Sequence, residues 1–148
     1  MNERFFMHQA IELAREAFED GEVPVGAVIV KSGEIVGRGR NRREKSKNAL
    51  DHAEIEAINE ACRALGGWRL WECDLFVTLE PCPMCAGAIV NARIRKVFFA
   101  CFDRKNGAVG STVNLFAIAG SYRPEYEAGI NEAECSRLMS DFFKKLRK

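Results

Sequence analysis

The sequence predicts an α/β layered domain, on three observations. Apolar residues recur at helical spacing in four segments. Short β-branched and aromatic runs lie between them. The two kinds of segment alternate along the chain, which is the pattern of a sheet covered by helices. Connections that pass through helices make the later strands parallel, and right-handed crossovers place those helices on the sheet faces.

Residues 4–20 carry Phe6, Met7, Ala10, Ile11, Ala14, Ala17 and Phe18 at spacings of three and four, the stripe of a helix that packs on a core. Asp20-Gly21 ends that helix. Gly26 to Lys31 reads as a strand, Ser32-Gly33 as a turn, and Glu34 to Asn41 as the returning strand of a hairpin. Residues 42–50 are polar and basic, hence a loop. Ala53 to Leu65 is apolar on much of its surface and reads as a helix buried against the sheet, stopped by Gly66-Gly67. Asp74 to Leu79 is a strand, and the Pro81 beyond it cannot join a central ladder. Pro83 to Ala92 is a helix with proline in its first turn, where the missing N–H costs nothing. Lys96 to Phe102 is a strand, 103–113 a glycine-containing loop, and Asn131 to Leu146 a final helix with Cys135, Leu138, Met139, Phe142, Phe143 and Leu146 on its buried face.

The chain has 148 residues, 47% hydrophobic and 29% charged. That suits one domain, 1–148, whose core needs no disulfides, and it excludes a disordered or fibrous chain. The net charge of +1 excludes a strongly basic architectural nucleic-acid binder but not a local basic patch. The longest apolar stretch, Val23 to Val30, falls far short of a membrane span. The N-terminus has no basic segment followed by an apolar run, so a cytoplasmic address is expected. Six cysteines in that compartment read as thiols or metal ligands.

Ligands of such sheets sit beyond the strand C-termini, beside helix N-termini. Two short stretches stand there: His52-Ala53-Glu54 and Pro81-Cys82-Pro83-Met84-Cys85. Cys82 and Cys85, three apart at a helix start, can aim both sulfurs at one centre, and the helix N-terminus favours the thiolate form that binds metal. Alone, a Cys-x-x-Cys pair is equally a redox motif. With His52 it makes three ligands, which leaves the fourth position of a tetrahedral zinc ion open, the mark of a catalytic rather than a structural site. Such an ion makes water a nucleophile at neutral pH. Glu54, near the metal but free of it, can shuttle the protons. Taken singly, a histidine or glutamate at a helix start is usually a cap or a response to the helix dipole. Jointly, the two motifs arise by chance in on the order of one chain in ten thousand.

These motifs resemble the cytidine deaminase-like superfamily, and within it the bacterial tRNA adenosine deaminases. The resemblance runs through Gly21 to Val28, Asn41, His52 to Glu54, Val77 to Ile94, Asp103 to Ala108 with Gly110-Ser111, and Asp141-Phe142-Phe143. It implies a three-layer α/β/α domain with a mixed, mostly parallel five-stranded sheet flanked by helices. It implies one zinc ion per subunit on His52, Cys82 and Cys85, with Glu54 as the catalytic proton shuttle. Asn41 matches the residue whose amide touches the target base, Val23, the backbone at Ala53 and Pro81 match pocket walls, and Asp103 matches a loop aspartate near the flipped-out nucleotide. The implied reaction converts adenosine to inosine at the wobble position (34) of a tRNA anticodon, in a homodimer that needs no protein cofactor and no membrane. Where many members carry Asn-His-Arg before the last helix, this chain has Gly120-Ser121-Tyr122-Arg123-Pro124, whose Tyr122 offers a ring for base stacking.

A base that enters a buried pocket must leave its stack, and anticodon loops lower that cost. Arg38, Arg40, Arg42, Arg43, Lys45 and Lys47, with Glu44 the one acid among them, surround Asn41 and read as phosphate contacts. The terminal Lys144, Lys145, Arg147 and Lys148 are expected from the helix dipole alone, with RNA contact the weaker reading there. Cys62, Cys73, Cys101 and Cys135 read as core, as do Trp68 and Trp71. Two rivals share the zinc motif: a deaminase of a free base or nucleoside such as guanine, cytosine or cytidine, and an inactive RNA-binding module with structural zinc. The second would need a fourth protein ligand, and His8 lies in the first helix.

Overall fold

The computed structural model describes every residue except Met1, Ala119, Ser121 and Lys148. Ser121 of the 120–124 segment and Lys148 of the basic tail therefore lie outside the described residues. In chain order the elements are α1 (Glu3–Glu19), β1 (Gly26–Lys31), β2 (Glu34–Arg40), α2 (Arg43–Ser46), α3 (Ala53–Leu65), β3 (Cys73–Leu79), α4 (Pro83–Ala92), β4 (Lys96–Cys101), α5 (Leu115–Ile118), β5 (Glu125–Ala128) and α6 (Glu132–Leu146). The strand order is β2-β1-β3-β4-β5. β1 is antiparallel to both β2 and β3, and β3–β4 and β4–β5 pair in parallel. Four strands thus run one way and β1 runs against them.

Strand alternation sorts side chains onto two faces. Ala27, Ile29, Leu75, Val77, Val97 and Phe99 meet α3 and α4. Val28, Val30, Phe76 and Phe98 meet α1 and, through Cys135, α6. The rings of Phe76 and Phe98 stack at 4.5 Å on this second face. The result is three layers, as expected.

The expected elements agree within a residue or two, with three differences. The loop at 42–50 contains the single turn α2. A second single turn, α5, follows the 103–113 loop. Reading the residues finds four strands, and the fifth is the short edge strand β5, whose residues are mostly exposed and lack an apolar alternation. The tryptophans are not core: Trp68 is 52% and Trp71 49% exposed, and the Arg69 guanidinium lies 4.1 Å from the Trp68 ring centroid. Tyr122 donates its hydroxyl to the carbonyls of Ile94 (2.8 Å) and Arg93 (3.2 Å) and packs edge-on against Trp71. All three stand where β3 and β4 begin, the end opposite the pocket described below, so the expected base-stacking role of Tyr122 has no support in the fold.

Glycines let two helices lie directly on the sheet, α1 at Gly26 of β1, where a Cβ would sit 2.0 Å from the Ala10 carbonyl oxygen, and α3 on β2. A Cβ on Gly39 would sit 2.1 Å from the Ala53 carbonyl oxygen, and one on Gly37 would sit 2.3 Å from that of Ala57. Ala53, Ala57 and Ala61 present the matching small face of the helix. Arg38 and Arg40 alternate with these glycines and point to the other face, where Arg40 pairs with Glu16 and Asp20 of the α1 segment, each at 3.2 Å.

Gly39→Ala should therefore cost about 1–3 kcal/mol in denaturant unfolding through overpacking, whereas Gly67→Ala, which meets nothing within 4 Å, should cost far less. A pH effect follows from the second face. Burial pushes the Cys101 thiol up to about 11 and the Cys135 thiol up to about 12, from an ordinary 9.0. The folded thiols keep protons that unfolded ones release. Their contribution is intact below the ordinary value and is lost as pH rises toward the folded ones. The double variant Cys101→Ala, Cys135→Ala should lose less stability than wild type across that alkaline window, as read by urea midpoints.

Candidate active site

β2 and β3 leave the sheet at the same end, so the helices that follow them start side by side. His52 is the N-cap of α3 and Cys82 the N-cap of α4, both in extended backbone, and Pro83 opens α4. Neither cap side chain bonds a backbone N–H. Both turn instead toward one point. The Nδ1 atom of His52 lies 3.8 Å from the Cys82 sulfur and 3.6 Å from the Cys85 sulfur. All three potential ligand atoms fall within 4.8 Å of one another, and no carboxylate joins them among the described residues. Ordinary zinc–sulfur and zinc–nitrogen bonds at a tetrahedral angle place sulfur about 3.6 Å from nitrogen. Donor type and spacing therefore fit a zinc ion. The three donors also share protons: a hydrogen bond from Cys85 brings Cys82 down to about 4, the same contact raises Cys85, and Cys82 raises His52.

Glu54, the second residue of α3, is 4% exposed beside these donors. Burial pushes its carboxyl up to about 7, and the Cys82 charge pushes the same way. Asn41 follows β2 and is also buried. Its side-chain oxygen accepts the Ala53 N–H at 2.9 Å, which satisfies a helix-start donor. That bond occupies one lone pair of the amide oxygen and fixes the plane of the side chain. The amide has its NH2 left to offer.

These groups line an open pocket of about 810 Å³. His52, Glu54 and Cys82 line it together with Asn41, Val23 and Val25. Asp103 also lines it, but its Oδ1 atom accepts the N–H groups of Lys105 (3.2 Å) and Asn106 (3.1 Å) and so shapes its own loop. Two expected wall residues, the backbone at Ala53 and Pro81, each stand between two residues that line the pocket. Ala53 is fully buried with its N–H on Asn41, and Pro81 is buried with its carbonyl accepting the Ala108 N–H at 2.8 Å; neither lines the pocket.

The basic run divides. Arg43 reaches the pocket. Arg38, Lys45 and Lys47 are exposed and form no ion pair among the described residues. Arg40 pairs with Glu16 and Asp20, and the part-exposed Arg42 pairs with Glu56 at 2.8 Å, so each already has an acid partner within the chain. Among the wall residues that sequence reading misses are Phe102, Arg104 and Lys105 from the loop after β4, and Ser136, Met139 and Phe143 from α6. Met139 and Phe143 are legible as apolar helix positions but give no local sign that they face a cavity.

The MafB19-like deaminase family profile matches residues 1–147. A tRNA-specific adenosine deaminase of Bacillus subtilis is 48% identical over 147 residues, covering 99% of this chain and 91% of the relative. A solved structure from studies of A-to-I editing by tRNA deaminases at the wobble position is 44% identical, with a TM-score of 0.87, and the match covers 90% of this chain and 98% of that one. A guanine deaminase from Nitrosomonas europaea, 22% identical with a TM-score of 0.82 over 94% of this chain and 83% of that one, shares the fold. With the His-Cys-Cys cluster, the buried carboxyl and likeness along almost its whole length, the chain belongs to the MafB19-like deaminases, in the branch of the tRNA-specific adenosine deaminases.

Proposed function

We propose that this chain hydrolytically deaminates adenosine to inosine at the wobble position (34) of a tRNA anticodon, with one zinc ion per subunit. One observation carries the reading: a buried carboxyl beside a His-Cys-Cys donor cluster, on the wall of an open pocket flanked by cations. The pocket lining includes Arg43, Arg104 and Lys105, and cations there suit a base still attached to its phosphates better than a free one.

His52, Cys82 and Cys85 would hold the ion. Zinc bound there supplies a Lewis acid that makes water nucleophilic at neutral pH. Glu54 handles the protons. Water adds at C6 and gives one proton through Glu54 to N1. The second passes through Glu54 to N6, the C6–N6 bond breaks, and ammonia leaves with C6 now a carbonyl. Asn41 offers its NH2 to an acceptor on the purine, and Val23 packs beside the ring. Arg38, Arg43, Lys45 and Lys47, joined by Arg104 and Lys105, meet the backbone phosphates.

The whole of 1–148 acts as a single domain in this reading, in a homodimer. The apolar strip of Met84, Gly87, Ala88, Leu115 and Ile118 along α4 and α5 supports a second subunit there. Among the described residues, no helix is long and apolar enough to cross a membrane. The six free thiols and a tRNA substrate agree with a cytoplasmic setting.

The zinc-loaded protein should form inosine in an anticodon stem-loop with adenosine at the wobble position. Ammonia released only from free guanine, cytosine or cytidine would overturn the substrate while sparing the site. Glu54→Ala should retain zinc by metal analysis yet lose turnover by about 10²–10⁴-fold, and Cys85→Ser should lose both. Asn41→Asp keeps an acceptor for the Ala53 N–H, so it should hold its melting temperature while weakening substrate binding. Asn41→Ala should lose about 0.5–2 kcal/mol of stability as well.

A further inference from the structure

Two carboxylates that the proposed chemistry does not use are buried beside the pocket, and each is bonded to a different loop of its rim. Glu80 follows β3 and is 2% exposed. Its Oε1 atom accepts the Asp103 N–H at 3.0 Å and the Ser111 hydroxyl at 2.5 Å. Its Oε2 atom accepts the Val109 N–H at 2.9 Å and the Ser111 N–H at 3.0 Å. All four donors belong to 103–111, more than twenty residues away in sequence. Between the tethered ends lie the pocket residues Arg104, Lys105 and Asn106. The loop folds so tightly onto the carboxylate that a Cβ on Gly107 would sit 2.2 Å from its carbon.

Glu22, also 2% exposed, does the same on the other side. It accepts the Glu44 N–H at 3.1 Å and the Lys45 N–H at 2.8 Å. These are the second and third residues of α2, whose own N-cap, Arg42, makes no side-chain cap. A carboxylate from a distant segment thus replaces the missing cap of the turn that carries Arg43. Neither glutamate forms an ion pair among the described residues. A buried carboxylate without a cation is held only by such donors, and its charge strengthens each bond to them.

We propose that Glu22 and Glu80 are positioning residues, which set the two rim loops in the geometry that engages the substrate backbone. The proposal rests on the reading of this pocket as an RNA site. It depends on acceptor chemistry. A glutamine at 80 would turn an NH2 group toward N–H donors, and an aspartate would keep the acceptors on a shorter arm.

The test has two arms. Hydrogen exchange is followed in the zinc-loaded, RNA-free protein for wild type, Glu80→Gln, Glu80→Asp, Glu22→Gln and the milder Ser111→Ala. Exchange should quicken in 103–112 for the position-80 and Ser111 variants, least for Ser111→Ala, and in 43–47 for Glu22→Gln. Protection in 53–57 and 85–90, and zinc content, should stay at wild-type values. On the anticodon stem-loop, Glu80→Gln and Glu22→Gln should raise KM about tenfold with kcat nearly unchanged, and Glu80→Asp should restore part of the loss. Unchanged loop exchange overturns the proposal. So does exchange that quickens throughout the sheet, or a fall in kcat with KM constant. A wild type inactive on the stem-loop refutes the RNA reading, while the exchange arm still decides whether the carboxylates hold the loops.

Discussion

The site depends on a constraint of strand direction. β2 and β3 flank β1 and run the same way, so α3 and α4 begin at one end of the sheet. Two residues that end in extended backbone, His52 and Cys82, thereby come within bonding distance of one metal position though thirty apart in sequence. The glycines of β2 make the arrangement tight. With no side chains at 37 and 39, α3 lies directly on the strand backbone, and its first turn is fixed by the Ala53–Asn41 bond. Little freedom remains at the point where the donors converge.

Around that rigid centre the rim is built differently. The loop of 42–47 has no apolar residue, and in the loop of 103–111 only Ala108 and Val109 join the core, which leaves the pocket-facing stretch 103–106 without an apolar anchor. Both are instead bonded to buried carboxylates that emerge from the ends of regular elements. The pocket thus combines a floor held by packing with a rim held by hydrogen bonds, and the two can respond separately to substitution.

The part of this plan legible in the sequence is the part encoded locally. The bounds of α3 and α4 follow from His52, Gly66, Pro83 and the apolar periodicity, all within a few residues of the ends they mark. The metal-ligand spacing is likewise a short-range signal. β5 is not legible because a four-residue edge strand, mostly exposed, buries too little to impose alternation. Its presence is implied only by resemblance. The ion pairs of Arg40 and Arg42 are not legible for the opposite reason: in the sequence the two belong to a basic run, and in space their acid partners come from α1 with its C-cap and from α3. Glu80 sits in the most recognisable stretch of the chain, yet its partners lie beyond the next helix and strand, and no periodicity announces them.

The placement of the aromatic residues has a spectroscopic consequence. Trp68 and Trp71 are the only tryptophans in the chain, and both sit in a half-exposed patch where β3 begins. The pocket is lined by phenylalanines instead, Phe102 and Phe143. Intrinsic emission of this protein therefore reports the solvent and the neighbouring arginines at the far edge of the sheet. It will follow global unfolding faithfully while remaining nearly blind to what enters the cavity, so occupancy has to be read through a fluorophore carried by the nucleic acid.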